Sequence, residues 1–220
     1  MPLLRSRGAL ATATAALAVT LSACGSDDPE SSSTASSSDV ATSSAAGEAT
    51  AEPASDEPFG EGCSAVPTKG EGSVEGMADD PVATAASNNP SLSMLVEALT
   101  EADLVDAFNS APDVTVLAPA DPAFEAVPDD ALKALFADNA KLSAALTHHV
   151  IEGRLSPGQL AGEHTTLTGG TVTIQGSGEA FTITAEQTIA GTSDAAVVCG
   201  NLQTANATVY IIDQVLAPPQ

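Results

Sequence analysis

The sequence predicts an α+β fold, with helices first, strands after, and one early strand among the helices. Three observations carry this. Apolar residues recur at helical spacing between Leu92 and Leu146. Residues 114–118 break that pattern with a β-branched and apolar run that reads as a buried strand. From His164 onward the apolar period falls to two.

Taken in order, residues 81–108 read as helical. Leu92, Leu95, Val96 and Leu99 form one apolar stripe behind a start at Asn89-Pro90, and Leu104, Val105 and Phe108 continue it in a second short piece. The strand follows, and Pro119 ends it. Asp121-Pro122 is a helix start, combining a carboxylate that caps free N–H groups with a proline at the first helical position. Phe124 falls where the new turn presses onto the core. Asp129-Asp130 opens another helix, where negative charge suits the dipole, with Leu132, Leu135 and Phe136 inward. Leu142, Ala145 and Leu146 line the next, which runs into His148-His149 and a strand beginning near Val150. Thr165 and Leu167, then residues 171–174, 181–183, 197–198 and 209–212, read as strand material, with Gly169-Gly170 and Gly176-Ser177-Gly178 at the turns.

Before this domain (residues 63–220) lie two segments of other character. Residues 1–23 read as an export signal: Arg5 and Arg7 precede an apolar run too short to span a bilayer. It ends in Leu21-Ser22-Ala23-Cys24, which matches the bacterial lipobox, so Cys24 is the candidate lipid-bearing first residue of the mature chain. The alternative is an ordinary signal peptide with an incidental cysteine. Lipobox cysteines carry a diacylglyceryl thioether and an N-acyl chain, and each buried CH₂ adds about 0.8 kcal/mol of membrane affinity. Residues 24–62 are an acidic Ser/Ala/Thr linker without Lys or Arg, expected to stay disordered and to reach about 35 Å as a tether.

The formal charge is −23, and −25 once Arg5 and Arg7 leave with the signal. Such acidity argues against nucleic-acid partners and against docking on anionic lipid headgroups by charge. Cys63 and Cys199 are an even pair in an exported domain, for which a disulfide is the default. Closing that long a loop stabilises the fold by up to about 5 kcal/mol in the chain-entropy picture.

The residues offer little catalytic chemistry. His148 and His149 are adjacent and point apart on a regular element, and His164 is distant in sequence. The chain lacks His-x-x-x-His, Cys-x-x-Cys, a Gly-x-Ser-x-Gly elbow and a phosphate-cradling glycine loop. The reading is therefore no enzyme, no metal and no cofactor. Asp213, within an apolar strand, is either a carboxylate satisfied by neighbouring backbone or hydroxyl groups, or part of an adhesive surface. Asn206-Ala207-Thr208 matches an N-glycosylation pattern, read as incidental in a bacterial lipoprotein.

Three blocks together resemble the fasciclin (FAS1) domain. They are TVLAPADPAF at 115–124, His148-His149-Val150-Ile151-Glu152-Gly153 in place of a Tyr-His-x-x-x-Gly segment, and a closing block around Ile212-Asp213-Gln214-Val215-Leu216. The resemblance covers residues 72–218 and points to the actinobacterial branch of secreted and lipid-anchored fasciclin antigens. It implies a compact β-sandwich or wedge with helices along one side. It marks Thr115, Pro119, Phe124, His149 and Asp213 as motif positions of structural or interaction role, with His149 as the family's structural histidine. It also implies a lipid-anchored protein on the outer face of the cell membrane, partly shed. One monomeric domain would be displayed there for adhesion to an extracellular protein or envelope polymer. The alternative function is a small-ligand carrier at the envelope, which requires a deep apolar pocket with convergent polar groups.

Overall fold

The computed structural model describes residues 57–218, so the signal segment, Cys24 and the linker up to residue 56 lie outside the described residues. The chain runs through a 3-10 turn (Glu61–Ala65), α1 (Val74–Ala78), α2 (Val82–Ser87), a 3-10 turn (Pro90–Leu92), α3 (Ser93–Glu101), α4 (Val105–Ser110) and β1 (Val114–Pro119). It continues with α5 (Asp121–Glu125), α6 (Asp129–Phe136), α7 (Asn139–His148), β2 (Val150–Glu152) and α8 (Pro157–Leu160). The strands β3 (Gly162–Thr165), β4 (Thr171–Ser177), β5 (Ala180–Ile183), β6 (Ala195–Gln203) and β7 (Ala207–Ile212) complete it.

The early helical region is segmented rather than continuous over 81–108. Asn89 accepts from the Ser91 N–H and starts the second 3-10 turn, while Asp103, at φ 56°, ends α3 by a left-handed step. Pro119 is the last residue of β1, not the residue after it, and stands opposite Ile212. Phe59 to Gly62, assigned to the linker from sequence, are part of the folded body: Phe59 exchanges two backbone hydrogen bonds with Gly200, at 3.2 and 2.8 Å.

The seven strands form one sheet in the order β2-β1-β7-β6-β5-β4-β3. β1 and β7, second and third in that order, pair in parallel, and the other ladders are antiparallel. The sheet curls until its ends approach, where Ile151 bridges Thr166. That curl makes two cores. Val114, Val116 and Ala118 of β1 and Val209 and Ile211 of β7 face the helices, together with Leu95, Leu99, Phe108 and Phe124. Leu117, Tyr210 and Ile212 point the other way, into a core with Ile174, Phe181 and Ile183. β1 and β7 are buried on both faces, which explains why their sequences read as largely apolar runs.

A β-bulge in β6 decides where Cys199 points. Val197 stands opposite Ile212 and Cys199 opposite Ile211, so two residues of β6 are spanned by one of β7. A one-residue slip turns the following side chains to the other face. Val197 accordingly lies in the inner core, and Cys199 in the helix-side core. There Cys199 is bonded to Cys63, with the Cα atoms 4.8 Å apart.

Candidate functional site

Thr115, on β1, is fully buried, and its hydroxyl ties down the chain that leaves β2. It donates to the Gly153 carbonyl at 2.7 Å and accepts from the Leu155 N–H at 2.8 Å. The Tyr210 hydroxyl donates to the Leu155 carbonyl at 2.8 Å, so both backbone groups of Leu155 are held. Burial pushes the Tyr210 hydroxyl well above the ordinary phenol range.

Asp121 does not cap its own helix, as the local sequence suggests; α5 begins without a side-chain cap. Its carboxylate instead reaches the start of α3, accepting from the Met94 N–H at 2.8 Å and from the Ser93 hydroxyl at 2.5 Å. The α3 terminus lacks a capping side chain of its own, so the cap comes from across the layer. Phe124 is then driven into the helix-side core, 2% exposed.

The two histidines diverge as two adjacent residues must, yet both are buried. His149 donates from Nδ1 to the Ala145 carbonyl at 2.7 Å, and its Nε2 accepts from the Leu216 N–H at 2.9 Å. Those partners fix a neutral tautomer. Burial holds its pKa down to about 4, with the Ala145 carbonyl acting the other way and His148 adding repulsion. His148, at the tyrosine position of the resembled block, is 4% exposed. The reason is the hairpin between β3 and β4, which folds over it: Nδ1 lies 3.0 Å from the Thr166 hydroxyl and 3.2 Å from that of Thr168. Burial lowers its pKa as well. Leu167, in the same hairpin, is 43% exposed rather than inward.

Asp213 follows β7 and extends its ladder. Its carboxylate accepts from the Ala196 N–H at 2.7 Å while its own N–H donates to the Ala196 carbonyl at 3.2 Å. The motif positions are thus spread along the β1–β7 seam and the turns it holds. The structure does not gather them into one cleft, and among the described residues no group of three or more His, Cys, Asp or Glu could hold a metal ion.

Three polar residues with larger hydrogen-bond roles escape sequence reading. The Asn206 side chain accepts from the Val82 N–H and donates to the carbonyls of Phe108 and Ala111, each at 2.8 Å. Asn109 accepts from the N–H groups of Ala83 and Thr84 at 3.0 and 3.3 Å, serving the uncapped start of α2. Arg154 donates to the carbonyls of Thr204 and Ala207, closing the β6–β7 turn. The available signal was Asn206 abutting the start of an apolar strand; for Arg154 there was none.

Two spaces bear on ligand binding. A cavity of about 20 Å³ in the helix-side core is lined by Met77, Leu95, Leu99, Phe108 and other apolar residues with Thr204, which is about one water's room. A surface groove of about 630 Å³ lies between Gly60–Gly62, β5 and β6, with Ala196 and Val198 as partly exposed apolar lining and Phe181 and Val197 buried beneath.

Comparison with known proteins places this geometry. A family model for the fasciclin domain matches residues 90–218. The chain is 42% identical to the cell surface glycolipoprotein MPB83 of Mycobacterium bovis over 227 residues, covering 98% of this chain and 97% of that protein. It is 43% identical to the immunogenic protein MPB70 of Mycobacterium bovis over 169 residues, covering 73% of this chain and 82% of that one. Among solved structures, a FAS1 domain pair from the insect cell adhesion molecule fasciclin I superposes with a TM-score of 0.51 at 16% identity, over 64% of this chain and 52% of that chain. The match at high coverage, on a curled sheet flanked by helices, establishes that this chain belongs to the fasciclin domain family.

Proposed function

We infer that this protein is a surface-displayed binding module, tethered through lipid on Cys24 and presenting one fasciclin domain to an exported protein or an envelope polymer. The observation that carries it is the role of the motif side chains. The polar groups of Thr115, Asp121, His149 and Asp213 are engaged by backbone or side-chain partners within the fold. They organise a rigid body and leave recognition to its outer surface. Similarity to a protein named a cell surface glycolipoprotein, across nearly the full length of both, supports display at the envelope. The internal cavity of about 20 Å³ is far below the volume of about 300 Å³ that ligand pockets usually need. The space of about 630 Å³ is a groove open at the surface, so neither favours the carrier alternative.

The test is a binding panel. The mature protein, immobilised through its N-terminus, is exposed to purified envelope polymers and exported proteins. Saturable retention of a panel member without chemical change to it is expected. Turnover of a panel member, or extraction of a small apolar molecule from the purified protein, would replace this reading with catalysis or carriage.

A further inference from the structure

The groove beside β5 exists because two strands part. β5 and β6 pair only at Thr182–Ala196 and Ile183–Ala195, although β5 begins at Ala180 and β6 continues to Gln203. At the bulge after Val197, β6 leaves β5 and takes a new neighbour, Phe59, at Gly200. Gly60 and Gly62 follow Phe59 and press on Val198 so closely that a Cβ on Gly60 would stand 2.3 Å from the Val198 carbonyl oxygen. The result is a fork, with β5 on one side, the segment after Phe59 on the other, and the partly exposed Ala196 and Val198 among its lining residues. Its rim carries Glu61 and Glu179, both exposed, with no Lys, Arg or His among the lining residues. Among the described residues neither carboxylate has an ion-pair partner.

We propose that this fork is a docking site for an extended, cationic peptide segment of another exported protein, one that alternates apolar residues with Lys or Arg. The proposal rests on the binding-module reading and names the partner's chemistry. An extended segment suits the site because the β5–β6 ladder stops at Thr182–Ala196 and leaves residues 180–181 of β5 without a partner strand on that side. Strand addition is a recurrent way to use such an edge. Alternation suits it because successive side chains of an extended chain point to opposite sides, one set to the apolar lining and one to the acidic rim. Charge selects the occupant. The protein's own segment 25–56 has acidic residues and no Lys or Arg, and a second copy brings the same large negative charge, so both are repelled.

The experiment uses the full mature protein and two short synthetic peptides, one alternating Lys and Val, the other Glu and Val. Affinity is read by fluorescence anisotropy and position by amide chemical shifts. The expected result is binding of the Lys/Val peptide alone, with shifts confined to residues 60–62, 180–182 and 196–198. The double variant Glu61→Gln, Glu179→Gln alters only exposed side chains, and should weaken binding by about tenfold, as should raised salt. Shifts elsewhere, or equal affinity in the double variant, would overturn the site. Binding of the Glu/Val peptide, or self-association through these residues, would overturn the cationic occupant. Absence of binding to either peptide would also overturn the site, yet leaves the panel result standing, so the two readings fail separately.

Discussion

His149 has both ring nitrogens committed to the fold, and each commitment makes a measurable demand. Replacing it by Ala leaves the Leu216 N–H and the Ala145 carbonyl short of a partner and opens a void, at a cost of about 2–4 kcal/mol. His148→Ala is expected to destabilise to a similar degree, because that ring is also enclosed, and thermal unfolding of the two variants beside the wild type checks both. The His149 site also ties stability to pH. Its folded pKa of about 4 lies below the ordinary 6.5, so between those values the unfolded chain binds the extra proton. The stability it contributes is complete above pH 6.5 and lost as pH falls towards 4, amounting to about 3 kcal/mol. His149→Asn should flatten that part of the stability–pH curve, and an unchanged curve would refute the assignment. How much of this was legible varied by residue. Thr115 and His149 announced themselves through recurring blocks. Asn206 and Arg154 did not, because their bonds reach backbone groups about fifty to a hundred positions away, as residues 206 and 108 or 154 and 207 show. Composition and spacing do not encode such reach.

At the scale of elements, the segment from Phe59 to Cys63 behaves as an extra edge element riveted to β6. Phe59 packs on Phe181 and Tyr210 with ring centroids 5.9 and 6.3 Å away. It fits because residue 200 is glycine, where a Cβ would sit 2.4 Å from the Phe59 ring. Reduction of Cys63–Cys199, or replacement of both by Ser, removes the loop constraint of 136 residues. The stability loss should approach about 5 kcal/mol. For a domain of this size that is a fall on the order of 10 °C in Tm. Calorimetry with and without reductant measures it, and a shift below about 2 °C would show that the non-covalent contacts alone hold the segment. The pairing of these cysteines was readable from their even number. The bulge that turns Cys199 towards Cys63 was not, since residues 195–199 are an unbroken apolar run in which a register slip leaves no mark.

For the whole molecule, the helices-then-strands order was visible because amphipathic period is a local property. Strand order was hidden because it depends on which distant segments meet. The proposed lipid anchor at Cys24 belongs to this scale too, and among the described residues no helix is long and apolar enough to cross a membrane. Cys24→Ser is expected to move the protein from the detergent phase to the aqueous phase or to an uncleaved precursor. Phase partitioning reads this directly, and unchanged detergent partitioning would exclude lipid at Cys24. The parallel seam has a further consequence, for how the chain comes to be folded at all. β1 has its parallel partner at β7, residue 114 opposite residue 207, so this pair joins segments separated by a long stretch of the chain. Closing so long a loop must precede the contacts that reward it, which makes folding slow and dependent on the last strand. The parallel seam therefore cannot be completed until the chain is available as far as residue 212.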